Sequence, residues 1–160
     1  MPIVLLRIDD RLIHGQVVEG WLPRLDVDMV VVASDAAASD PVQTALMKMA
    51  LPPEIGLSVL SVADAPGALA APQAAARRVL ILVPGPEEAL ALLEHGVAVD
   101  RVNVGGLHFT VGKVQLGRAL FLSEKDKGAL RAIAARGVRL EGRPLPADPE
   151  ENLASMLGCA

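Results

Sequence analysis

Apolar positions in this chain come in two alternating textures. One is the short run with no polar break, such as Met29-Val30-Val31-Val32-Ala33 or Val79-Leu80-Ile81-Leu82-Val83. A run apolar at consecutive positions suits a strand covered on both faces, as a parallel sheet requires. By this texture strands are predicted over 3–8, 27–33, 57–62, 79–83, 101–104, 119–122 and 138–142. The other texture is Ala/Leu-rich and carries helix punctuation. Ser39-Asp40-Pro41 predicts a helix start, with Pro52-Pro53 beyond its end; Pro86-Glu87-Glu88 starts another that stops at His95-Gly96. Ser123-Glu124-Lys125-Asp126 opens a helix that stops at Arg136-Gly137, and Asp148-Pro149-Glu150-Glu151 predicts a last one. The Ala/Pro-rich stretch 65–76 is too degenerate to define its helix. The βα alternation predicts an α/β fold: an open, doubly wound, mostly parallel sheet of about six to seven strands with helices on both faces. Residues 1–160 are expected to form one domain.

Composition narrows the function. With 15 Lys+Arg against 19 Asp+Glu and a net charge of -4, the chain has no electrostatic reason to seek nucleic acid. Its three aromatics, Trp21, Phe109 and Phe121, are too few for a base-stacking surface. A mean hydropathy of +0.42 raises the question of a membrane span, but no stretch supplies about 18 consecutive uncharged apolar residues. The N-terminus reaches Arg7, Asp9, Asp10 and Arg11 at once, which predicts no secretory signal. The single cysteine, Cys159, can form neither an internal disulfide nor a cysteine-based zinc site, so a cytoplasmic location is expected.

Chemistry concentrates after the first strand. In open α/β sheets ligands gather beyond the carboxyl ends of the strands, at a topological switch point. There the chain reads Arg7-Ile8-Asp9-Asp10-Arg11-Leu12-Ile13-His14-Gly15-Gln16, with Val17, Val18 and Trp21 continuing at helical spacing. His14, followed by Gly15 and Gln16, lies where backbone N–H groups at a helix start favour an anion. Arg11 adds a permanently charged fork for phosphate oxygens, and a neutral imidazole can attack phosphorus and later leave. Asp9 or Asp10 would orient the ring or the loop, since a carboxylate against a phosphoryl dianion repels it. The same residues also fit a salt-bridged turn with a half-exposed histidine, and residue chemistry alone leaves both readings open.

The string Arg7-Ile-Asp-Asp-Arg-Leu-Ile-His14-Gly-Gln-Val17 resembles the active-site segment of the EIIB subunits of the mannose/fructose/sorbose family of the bacterial sugar phosphotransferase system. Val102-Asn-Val-Gly-Gly-Leu-His-Phe109 resembles that family's Asn-Val-Gly-Gly segment, and the similarity runs through nearly the whole chain. The resemblance implies a doubly wound sheet with one nonparallel edge strand, and His14 as transient phosphoryl carrier. It also implies an EIIA partner as donor, and onward transfer to a sugar arriving through the membrane components EIIC and EIID. The protein would then sit peripherally at the permease; no cofactor is expected. A rival with the same histidine chemistry is a regulatory reporter of phosphorylation state from an incomplete system. A third reading is a small-molecule-binding domain with no covalent step.

Further positions support the site or merely the fold. Gly105 and Gly106 either let amides approach a phosphate or make a tight turn, with Asn103 before them and His108 at the rim. Ser34 and Asp35 follow the second strand and either touch the site loop or cap the turn. His95 belongs to a helix end. The three histidines show no metal-ligand spacing, and no P-loop is present. Cys159 is a poor carrier, one residue from the end of the sequence.

Overall fold

The computed structural model describes residues 3–159. Nine strands are formed: β1 (Ile3–Asp9), β2 (Met29–Ala33), β3 (Gly56–Leu60), β4 (Val79–Val83), β5 (Arg101–Gly106), β6 (Val114–Leu116), β7 (Leu120–Leu122), β8 (Arg139–Gly142) and β9 (Glu151–Asn152). Seven of them make the central sheet, in the order β3-β2-β4-β1-β5-β8-β9. All pairings in it are parallel except β8 with β9, so the nonparallel strand is at one edge. β4 is buried at all five positions, as its unbroken apolar run requires.

Side-chain alternation sorts the core into two layers. Leu6, Ile8, Ile81, Val102, Val104 and Leu140 face one side. That side is covered by α3 (Ala65–Ala70), α4 (Pro86–Glu94), α5 (Glu124–Ala135) and α6 (Leu153–Met156). Leu5, Val30, Val32, Leu80 and Leu82 face the other, against α1 (Asp35–Ala38), α2 (Pro41–Ala50) and a wide helical turn over Gln16–Trp21. Each fully buried Val, Leu or Ile contributes about 1.5–3 kcal/mol to this arrangement. Helix ends follow local chemistry. Asp40 accepts from the amides of Val42 and Gln43, and Ser123 with Asp126 forms a reciprocal capping box.

Several expectations are corrected. The run 119–122 is not in the main sheet: β7 pairs antiparallel with β6 in a separate hairpin. The Asp148-Pro149 signal does not open a helix. Glu151–Asn152 joins the sheet edge as β9, because Gly142 and Glu141 offer it pairing partners, and only Leu153–Met156 is helical. The short α1 is not anticipated by the sequence pattern, and the 65–76 stretch divides into α3 and a 3-10 turn over Pro72–Ala74.

β1 lies between β4 and β5. From its end the chain departs toward β2, whereas from β5 it proceeds to the β6–β7 hairpin and then β8, on the other side. The crevice between the carboxyl ends of β1 and β5 is therefore the switch point.

Candidate functional site

β1 ends on Asp9, and the chain doubles back at once. The Leu12 amide donates to the Asp9 carbonyl at 3.0 Å, and Leu12 takes a left-handed φ of 58°. For a side chain that bulky the conformation costs roughly 1–2 kcal/mol. Burial offsets the cost: Leu12 and Ile13 enter the core, and His14 is returned to β1. The His14 carbonyl then accepts from the amides of Val17 and Val18, starting the wide turn.

Asp9 is the hub. It is fully buried, and its Oδ2 accepts from His14 Nε2 at 2.9 Å and from Arg7 Nη2 at 3.0 Å. Its Oδ1 accepts from the Arg11 amide at 3.1 Å. A carboxylate only accepts, so Nε2 carries a proton, and in the neutral ring the lone pair is then on Nδ1. The His14 side chain is 14% exposed, at the edge of the protein's surface. Arg11, 43% exposed, has its Nε 3.7 Å from Asp9 Oδ1, and its Nη2 donates to Gln16 Oε1 at 3.0 Å. Gln16 thus ties the Arg11 side chain to the loop that carries His14. A Cβ on Gly15 would meet open space, so this position leaves room above the loop.

The two candidate carboxylates divide their work. Asp10 holds His108, not His14: its Oδ1 bonds the His108 ring at 2.6 Å and its Oδ2 accepts the His108 amide at 2.7 Å. With the Asp10 amide donating to the Gly106 carbonyl, this ties the loop after β5 to the loop after β1. A Cβ on Gly106 would lie 3.4 Å from Asp9 Oδ1 and 3.6 Å from Arg11 Nη2, so that glycine borders the site.

Sequence reasoning does not single out Arg7, yet this residue organises the rest. It is fully buried, donating through Nη1 to Asn103 Oδ1 at 2.6 Å and through Nη2 to Asp9 and the Pro144 carbonyl, each at 3.0 Å. Its guanidinium lies 5.1 Å from the Trp21 ring centroid. Burial draws its pKa below the ordinary range, and the adjacent Asp9 carboxylate opposes that shift. An arginine inside the apolar run Ile3–Asp9 is the signal that could have found it. Gly105 is explained by Arg7: a Cβ there would occupy the space of the guanidinium. That glycine leaves room for the Arg7 side chain.

Ser34 and Asp35 make their bonds elsewhere. Ser34 Oγ caps α1 at the Ala37 amide, and Asp35 Oδ1 accepts the Val62 amide. β4 separates their strand from β1, so they belong to the turn and not to the His14 loop. His95 bonds the Ala91 carbonyl through Nδ1 at 2.7 Å, a helix-end contact. Concavities of about 220 and 230 Å³, lined by residues such as Ile3, Leu69, Val97 and Val138, lie at the opposite, N-terminal edge of the sheet.

This geometry anchors one imidazole through Nε2 on a buried carboxylate whose other oxygen lies near the exposed Arg11 cation. The sequence-family model described as the PTS system sorbose subfamily IIB component matches residues 3–160. The fructose-specific EIIB component of Bacillus subtilis (strain 168) is 34% identical over 157 residues, 98% of this chain and 96% of that one. The mannose-specific EIIAB component of Escherichia coli (strain K12) is 38% identical over 157 residues. The match takes 98% of this chain and 49% of that relative, so the chain spans about half its length. The crystal structure of the IIBSor domain of the sorbose permease from Klebsiella pneumoniae is similar at a TM-score of 0.94 and 33% identity, covering 99% of this chain and 97% of that one. An N-acetyl-galactosamine IIB component from Streptococcus pyogenes gives a TM-score of 0.88 at 31% identity, covering 97% of each chain. By family pattern, by identity along nearly its whole length and by fold, this chain belongs to the sorbose-subfamily IIB components of the phosphotransferase system.

Proposed function

We propose that this protein is a phosphohistidine carrier that accepts a phosphoryl group on His14 from an EIIA donor and passes it to a sugar entering through EIIC and EIID. The observation that carries the reading is the anchoring of Nε2 by buried Asp9, which leaves Nδ1 as the nucleophile. In the step, the Nδ1 lone pair forms the new P–N bond as the P–N bond to the donor's histidine breaks, and the donor nitrogen keeps that electron pair. The Nε2 proton stays on the ring, and the negative Asp9 carboxylate stabilises the positive charge that develops there. Arg11 offsets charge on the phosphoryl oxygens in flight.

A carrier must also release its group. Each 1.4 kcal/mol of excess stabilisation biases onward transfer about tenfold the wrong way. One half-exposed arginine in place of a buried cage suits that requirement. Phe109 and Val111, 61% and 97% exposed on the loop after β5, adjoin His108 and supply apolar surface for a transient donor contact. We assign residues 1–160 to one functional unit, acting at the cytoplasmic face of the permease. Among the described residues no helix is long and apolar enough to cross a membrane.

The reading is tested by supplying phosphoenolpyruvate, the general phosphotransferase proteins and a cognate EIIA, then adding membranes with EIIC and EIID. The expected course is gain of one HPO₃ unit by the chain, followed by its loss as sugar phosphate forms. Absence of the gain contradicts the proposal. Arg11→Ala is expected to slow uptake on His14 about 10²-fold. Its stability should stay within about 0.5 kcal/mol, because the side chain is at the surface. Single-turnover rates beside a urea melt check both, and unchanged rates remove the role given to Arg11.

A further inference from the structure

β1, β5 and β8 are in register so that Arg7 is opposite Asn103 and Asn103 is opposite Glu141. All three side chains are fully buried and stand in one row across the sheet. The row is continuous with the site. Glu141 Oε1 accepts from Asn103 Nδ2 at 3.4 Å, Asn103 Oδ1 accepts from Arg7 Nη1 at 2.6 Å, and Arg7 Nη2 reaches Asp9, which holds His14. The loop after β8 closes over it, the Arg143 and Pro144 carbonyls accepting from Arg7. Polar groups buried in this way depend on one another's hydrogen bonds, and in this row Arg7 Nε is left without one.

We infer that Glu141 is a positioning residue for His14, acting through the buried row Asn103–Arg7–Asp9. This rests on the carrier reading and extends it to a residue two strands away. An asparagine amide can lie either way round. Here one end must present oxygen to a guanidinium and the other must present N–H to the Glu141 carboxylate and the Arg143 carbonyl, each at 3.4 Å, so Arg7, Glu141 and that carbonyl together lock it. Glu141 also occupies Arg101 at 2.9 Å, Arg143 at 3.4 Å and Arg139 at 3.5 Å. Without that carboxylate Arg139 and Arg143 still have Glu150, whereas Asn103 Nδ2 is left with the Arg143 carbonyl, an acceptor that Arg7 Nη1 also uses. The guanidinium, Asp9 and the ring then lose a single setting.

The test uses the whole chain with Glu141→Ala and Glu141→Gln. In Glu141→Ala, kcat for uptake from the donor is expected to fall about tenfold with KM unchanged, since geometry is lost and docking is not. Glu141→Gln, which keeps one acceptor oxygen for Asn103, is expected to lose less. In both variants the His14 Nε2–H resonance should move from its wild-type position in ¹H–¹⁵N spectra recorded without donor. A purely structural role lowers melting temperature and leaves kcat and the ring resonance of the folded protein as they were. If Glu141→Ala does not fold, the resonance in Glu141→Gln decides, and a wild-type position overturns the inference. Failure of the carrier reading is distinguishable: wild-type protein then takes up no phosphoryl group, while the ring resonance still reports on Glu141.

Discussion

His14→Gln is expected to take up no phosphoryl group from an EIIA donor that loads the wild-type chain fully. Glutamine is the stringent choice because its amide N–H can stand in for Nε2–H on Asp9, so the hub keeps its partners while the nucleophile is gone. Asp9 Oδ2 also retains its 3.0 Å bond from Arg7, which keeps the buried carboxylate paired. The stability cost should therefore be about 1 kcal/mol, that of one exchanged hydrogen bond. Incorporation of radiolabelled phosphate, read beside a thermal melt, checks both halves. Persisting incorporation in a folded variant would place the carrier elsewhere on the chain.

Gly105→Ala is the smallest change expected to cripple the protein. The added methyl would occupy the space of the Arg7 guanidinium, which is fully buried and held by Asn103, Asp9 and two backbone carbonyls. The arginine cannot retreat into solvent, because the Trp21 ring lies against it and Trp21 is itself tied to the Pro144 carbonyl at 2.8 Å. Displacing Arg7 leaves Asp9 as a buried charge without its main counterion. Breaking such a pair costs about 3–5 kcal/mol, a drop in melting temperature on the order of 10 °C for a chain of this size. Uptake on His14 should fall with it, because Asp9 no longer sets the ring. The check is calorimetry on Gly105→Ala against Gly106→Ala. At Gly106 the nearest contact of the added Cβ, 3.4 Å to Asp9, is close to ordinary, and a small loss is expected.

The parts of the fold that were legible in the sequence are those where local pattern and tertiary demand agree. The unbroken apolar run Val79–Val83 can satisfy itself only in the middle of a covered sheet, and it is there. Asp40 and Ser123 announce helices through bonds they make to amides two and three residues on. Local pattern fails where a long-range partner decides. The helix-start signal at Asp148-Pro149-Glu150-Glu151 instead leads into Glu151–Asn152, which pairs with β8; Leu120–Leu122 has sheet texture and instead pairs with Val114–Leu116 across a short turn. Within the site, the string around His14 stands out by its density of charge, but adjacent carboxylates cannot be told apart by spacing. Which of Asp9 and Asp10 faces the ring depends on how the chain turns at Leu12, and that turn uses a backbone conformation no sequence pattern there advertises. Arg7, Asn103 and Glu141 come from three strands, so only register reveals that they form a row.

Asp9 anchors one nitrogen of His14, and the proposed carrier role then puts the phosphoryl group on the other. Long-range ¹H–¹⁵N correlation on the phosphorylated wild-type chain puts this assignment to the proof, since it names both the residue and the ring atom. A single P–N bond is expected, at Nδ1 of His14, with Nε2 still protonated. A phosphoryl group on Nε2 of His14, or on another side chain such as His108, would refute the assignment.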